Sequence, residues 1–213
     1  MLVDSEPIAL RVLSEALAEA GVAMTADAAQ ARFLGRSLAA LCEELRRDFG
    51  LDPDPAWLER MRERLHAAFR AELRPIAGVA AALDALEAPY CVASSSQPER
   101  IALSLELTGL AARFGGRCGG RMFSATMVAR GKPAPDLFLH AAAAMGAAPA
   151  ACAVIEDSPA GVMAARAAGM RALGFLGGGH ARAPAHRHAL AAAGAHLLFD
   201  EMARLPGLLA SPA

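Results

Sequence analysis

Apolar residues recur at helical spacing through the first third of the chain. In EPIALRVLSEALAEAG they fall at positions 8, 9, 12, 13, 16 and 17, and the run closes on Gly21. That pattern predicts an amphipathic helix stopped by a left-handed glycine. SLAALCEELRRDFG repeats it between a Ser37 cap and Gly50, and DPDPAWLERMRERLHAAFRAEL opens on proline and acids and runs helically to about Leu73. Residues 5–72 therefore read as helices throughout.

The texture changes after RPIAGV. Helix GVAAALDALEA leads to the short apolar run PYCVASSS, and helix PERIALSLELTGL follows. A glycine-rich loop and RMFSATM come next, then GKPAPD and helix DLFLHAAAAMG. The series continues with strand ACAVIED, helix SPAGVMAARAAGM and strand RALGFL. Short buried-type strands alternating with helices predict a parallel sheet covered on both faces. The expected organisation is a helical insert over residues 8–74, carried on an α/β core formed by 1–7 and 75–213.

Composition narrows the class. Hydrophobic residues make up 55% and charged residues 20%, enough apolar material for a globular core, with aromatics at only 5%. The formal net charge of -1 gives no electrostatic case for nucleic acid or a membrane surface as partner. No apolar run reaches membrane-spanning length, and the acid-bearing N-terminus is unlike a signal peptide. Cys42, Cys91, Cys118 and Cys152 are widely spaced and read as free thiols of a reducing, cytoplasmic protein. Met122, Met127, Met163 and Met170 read as core filling.

Ligands of open parallel sheets bind beyond the carboxyl ends of the strands. Here those ends carry Ser94 on one strand and Glu156 with Asp157 on another. Two acids after a buried strand suit a divalent cation such as Mg2+, although the same acids would favour the N-terminus of a helix capped by Ser158. Ser94 and the backbone N–H of Ser95 are placed to donate to an anionic oxygen, while Ser96 and Glu99 fit a capping box. Lys132, in GKPAP, is the chain's single lysine. It sits on a proline-held turn, where a compact ammonium would neutralise a phosphate among carboxylates; chance survival in an arginine-using chain is the alternative. The histidines His180, His186, His188 and His196 fall in a polar loop and a terminal helix and form no zinc pattern.

Ser94 after an apolar strand, GKPAPDLF and VIEDSPAGVMAARAAGM resemble, in order, the second, third and fourth motifs of the haloacid dehalogenase (HAD) superfamily. LVDSEP, FLGRS and PIAGV resemble the entry, cap segment and core return of its β-phosphoglucomutase-like phosphatases. The resemblance implies a Rossmann-like core with an inserted α-helical cap. It also implies phosphoryl transfer through an aspartyl-phosphate, from a small phosphorylated metabolite such as a sugar phosphate. By position it gives Ser94 and Lys132 catalytic roles, with Ser95 and Arg36 beside them at the phosphate or substrate. Glu156 and Asp157 would hold Mg2+.

Two departures carry further expectations. The mutases of the subgroup have Gly-x-Ser-Arg in the cap, whereas this chain has Gly35, Arg36, Ser37 and Leu38. A phosphatase is therefore favoured over a phosphomutase, with Arg36, Arg32 and the loop around Gly35 as candidates to touch substrate. The family's first motif, a strand ending in Asp-x-Asp-Gly, would lie before Met1, and Asp4 matches a later aspartate, not the nucleophile. The expectation is a sheet lacking its first strand and a chain inactive as written. A non-catalytic protein binding a phosphorylated ligand or a partner is the competing class.

Overall fold

The computed structural model describes residues 1–34, 37–115, 122–181 and 183–210. Four helices come first: α1 (Glu6–Glu19), α2 (Ala26–Phe33), α3 (Leu38–Phe49) and α4 (Pro55–Glu72). Their ends follow local chemistry. Ser37 Oγ accepts from the Ala40 N–H, Asp54 Oδ1 accepts from the Trp57 N–H, and Gly50 closes α3 at φ 63°. Leu13, Leu17, Phe33, Leu41 and Leu45 gather into one apolar cluster within this segment.

The rest alternates. Helix α5 (Val79–Asp84) precedes β1 (Val92–Ser94), α6 (Pro98–Leu107), α7 (Ala111–Gly115) and β2 (Met122–Ser124). Then come α8 (Asp136–Ala144), β3 (Ala153–Glu156), α9 (Pro159–Ala167) and β4 (Arg171–Phe175). Helix α10 (Pro184–Ala192), β5 (Leu197–Phe199) and α11 (Leu205–Ala210) complete the chain. All strand pairs are parallel. The alternation of β4 shows how the layers form. Leu173 and Phe175 enter the cluster beneath α5 and α6, whereas Ala172 enters the cluster beneath α8, α9 and α10. This is the expected Rossmann-like arrangement of helices on both faces of a parallel sheet.

The sheet is divided. Among the described residues, β1 pairs only with β2, and β3, β4 and β5 form a separate three-stranded set. Between β1 and β3 lies a cavity of about 1310 Å³, bordered by both strands and by the first residues of the chain. Those first residues run beside 74–76 instead: Val3 bridges Pro75 antiparallel, and the Ile76 N–H donates to the Leu2 carbonyl. Among the described residues, the sheet thus has a slot between β1 and β3.

Two sequence expectations fail. Met122, Met127 and Met163 are 39%, 48% and 49% exposed, and only Met170 of the four fills core. The Ser96–Glu99 capping box does not form. Gln97 is the N-cap of α6 without a side-chain bond, because the Ser96 carbonyl is held by Ser124 Oγ and its N–H by Ser94 Oγ.

Candidate active site

The carboxyl ends of β1 and β3 meet at the mouth of the cavity, and Lys132 joins them. Its Nζ donates to the Ala93 carbonyl of β1 at 3.3 Å and pairs with Glu156 Oε1 at the end of β3. The ammonium also lies 4.8 Å from the Phe138 ring centroid, and the side chain is 6% exposed. Gly131 and Ala134 close the turn that presents it.

Glu156 is fixed from both sides. Its second oxygen accepts from Ser158 Oγ, which also caps α9 through the Gly161 N–H at 3.1 Å. A Cβ on Gly161 would stand 2.0 Å from Glu156 Oε2, so the glycine of EDSPAG is what lets the carboxylate lie on the helix N-terminus. Of the two roles weighed for the acids, the helix role falls to Glu156, which also serves the lysine, while Asp157 borders the cavity with its side chain 16% exposed.

Asp157 already holds a positive charge: the Met1 ammonium lies 3.3 Å from its Oδ2. Burial pushes its carboxyl up, but the ammonium, His180 and Lys132 outweigh that and hold it below the usual carboxylate range. The position suits a cation, and one carboxylate beside a phosphate crevice matches the sparse protein ligation that Mg2+ accepts. No cluster of three metal-ligating side chains occurs among the described residues.

Ser94 and Ser95 border the same cavity. Ser94 Oγ accepts from the Ser96 N–H, which shapes the loop, while Ser95 Oγ is buried with no hydrogen-bond partner. A buried orphan hydroxyl is costly unless a ligand satisfies it. The sequence marked Ser95 for its backbone; the structure makes its side chain the unsatisfied group.

Other candidates resolve differently. Arg32 is committed within the helical segment to Glu44 at 2.8 Å and to Asp48, so it is not free for substrate. Gly35, Arg36 and Cys118 lie outside the described residues. Asp4 accepts from the Gly179 N–H at 2.9 Å and secures the glycine loop. Sequence reasoning missed His180 and His186. His180 is buried with its Nε2 3.7 Å from Asp157 Oδ2, and His186 Nε2 is 2.8 Å from the Asp157 carbonyl. The two rings pack edge to face, and Gln30 of α2 donates to the His180 carbonyl. Burial lowers the His186 pKa. Only the spacing of β4 and α10 around one aspartate brings these histidines together, and nothing in their local sequence signals it.

Residues 2–169 match the haloacid dehalogenase-like hydrolase family. The chain belongs to that family. It is a hydrolase of the phosphatase type. It is 29% identical to the 6-phosphogluconate phosphatase of Escherichia coli K12 over 186 residues, which cover 87% of this chain and 82% of that protein. A haloacid dehalogenase-like protein of unknown function from Agrobacterium tumefaciens superposes with a TM-score of 0.80 at 34% identity, covering 98% of this chain and 93% of that one. A HAD family hydrolase from Deinococcus radiodurans, solved with bound phosphate and sodium, gives 0.72 at 33% identity and covers 98% and 90%. No described helix is long and apolar enough to cross a membrane.

Proposed function

We propose that this HAD hydrolase is a Mg2+-dependent phosphatase of a small phosphorylated metabolite, with a sugar phosphate as the substrate class. The observation that carries the reading is Lys132: the chain's single lysine is buried where β1 and β3 converge, within reach of both strands. The phosphatase relatives and the phosphate bound in the Deinococcus hydrolase agree with it.

Each residue then has a task. Ser94 and Ser95 donate to the equatorial phosphoryl oxygens, and Ser95 Oγ gains the partner it lacks. Lys132 neutralises charge on the phosphoryl group and holds it in line, with Glu156 fixing the ammonium's position. Asp157 would hold Mg2+, with Glu156 behind it; the metal would supply charge neutralisation at the phosphoryl oxygens. Residues 8–74 act as a cap that closes over the crevice, with Arg36 near the substrate.

The nucleophile is the open place in this scheme. Among the described residues, the carboxylates at the carboxyl ends of β1 and β3 are Glu156, already bound by Lys132 and Ser158, and Asp157, reserved for the cation. We assign the nucleophile to a strand occupying the slot between β1 and β3, and expect residues 1–213 alone to be inactive. The test measures phosphate release from a panel of sugar phosphates, with Mg2+ or with chelator. It compares the 213-residue chain with a form extended at its N-terminus by an apolar strand ending in Asp-x-Asp-Gly. Activity should appear only in the extended form, should need Mg2+, and should vanish in Asp157→Ala. Equal turnover by the short form would place the nucleophile within residues 1–213 and overturn the scheme.

A further inference from the structure

Arg100 stands apart from the other arginines. It occupies the first turn of α6, after the Ser94–Gln97 loop, and is half-buried. Arg32 and Arg113 are also half-buried, and each hydrogen-bonds a carboxylate at 2.8 Å. Arg100 makes no hydrogen bond through its guanidinium among the described residues. Its nearest acid, Glu6, is 3.8 Å away, and its guanidinium carbon lies 5.2 Å from the ring centroid of Phe69 on α4. A guanidinium still 24% exposed and without hydrogen bonds keeps its donors available, and a bidentate anion is the partner its geometry fits.

The facing helix brings further basic side chains to the same cavity. His66 and Arg62 of α4 border the same cavity as Arg100, Ser94 and Lys132. Acids compete here too: Glu59 accepts from Arg62 at 2.6 Å, and Glu6 and Glu99 border the cavity. Glu59 thus engages Arg62, and Arg100 remains without a short contact. The His66 pKa is lowered by burial and then by Arg62, Arg70 and Arg100, as expected where positive charge is concentrated. The chain from Ser94 to Arg100 spans at most about 20 Å even when fully extended, so one small molecule is on the right scale to meet both.

We infer that Arg100 forms a subsite for a second anionic group of the substrate, a carboxylate or a second phosphate, distant from the phosphoryl group held at Ser94 and Lys132. The inference rests on the phosphate reading of that crevice and narrows the substrate class to doubly anionic phosphate esters.

Binding tests this without catalysis. Titration calorimetry on the 213-residue chain would compare four probes: 6-phosphogluconate, fructose 1,6-bisphosphate, glucitol 6-phosphate and inorganic phosphate. At least one of the two doubly anionic probes should bind about 10-fold or more tighter than glucitol 6-phosphate, and which one does so identifies the second anion. Arg100→Gln should remove that advantage and leave glucitol 6-phosphate and inorganic phosphate within about twofold, whereas Arg100→Lys should keep part of it. If Arg100→Gln does not fold, the wild-type chain still decides, since the advantage must shrink as salt rises from 0.05 to 0.5 M, or about twofold in ionic reach on either side of physiological. Inorganic phosphate bound with no gain from a second charge overturns the subsite and leaves the crevice standing. A doubly anionic probe held through Arg100, without any binding of inorganic phosphate or glucitol 6-phosphate, supports the subsite and overturns the crevice. Equal weakening of all four probes in Arg100→Gln marks the arginine as structural, and no binding of any probe overturns both readings.

Discussion

β4 and β1 are both short parallel strands, yet they live in different surroundings. β4 has a strand on each edge and an apolar cluster on each face, and Leu173 and Phe175 are 0% exposed. β1 has β2 on one edge and the cavity on the other, and all three of its residues are only half-buried. β3 repeats the contrast within one strand, since it pairs with β4 on one side and borders the cavity on the other. Apolar sequence alone does not bury a strand. CVAS and AVIE are as apolar as a central strand requires, but burial needs both edges and both faces filled.

Filling the slot should have a large effect. Unpaired buried backbone groups cost about 1–3 kcal/mol each, a serious fraction of a domain's total of about 5–15 kcal/mol. An added apolar strand should raise the melting temperature by about 10 °C, taking about 3 kcal/mol gained and roughly 2–4 °C per kcal/mol at this size. Thermal melts of the two forms check this. A shift under about 2 °C would mean that β1 and β3 lose nothing by standing apart.

Truncations should rank the two regions next. Phe175→Ala removes a ring packed on Phe199 in the filled half and should cost about 3–5 kcal/mol. Val92→Ala, beside the cavity, should cost about 1 kcal/mol or less in the 213-residue chain and more once the slot is occupied. Urea unfolding measures both. Equal costs in the short chain would erase the distinction between the halves.

Lys132 tests the seam itself, because its ammonium reaches the Ala93 carbonyl of β1 and Glu156 of β3. Lys132→Arg keeps the charge but brings a longer, planar group into a site that is 6% exposed. Turnover of the extended form should fall about 100-fold, comparable with loss of one preorganised donor. Turnover within about twofold of the parent would return the residue to chance survival.

Much of this contrast was legible in the sequence. The Ser37 and Ser158 caps, the Gly50 stop and the strands β1, β3 and β4 follow from local rules, because each depends on neighbours within a few residues. The acids stood out by their position at a strand end, and the lysine as the chain's single lysine on a proline-held turn. What escaped depended on distant neighbours. β5 is three residues long and exists through pairing with β4. His180 and His186 converge only around Asp157. Ser96 lost its capping role to Ser124, across the strand pair. Met122, Met127 and Met163 carry no local mark of exposure.

The thiols offer the finest test of the slot. Cys91 and Cys152 stand just before β1 and β3, border the cavity and are half-buried, whereas Cys42 is buried in α3 outside the cavity lining. Burial raises the pKa of both slot thiols above the ordinary value of 9.0, with Cys152 adding to the shift at Cys91. The thiolate is the reactive form, so alkylation by iodoacetamide should be slow at pH 7 and climb as pH rises toward and past 9. A strand in the slot would cover both sulfurs. In a Cys118→Ser background, the extended form should therefore label at Cys91 and Cys152 about 10-fold more slowly than the short form, while Cys42 changes little; tenfold corresponds to only about 1.4 kcal/mol of added protection. Mass spectrometry of each peptide reads the three rates separately. Slowing at all three cysteines alike would report general stabilisation and not an occupant between β1 and β3. Unchanged rates at Cys91 and Cys152 would show that the added strand goes elsewhere.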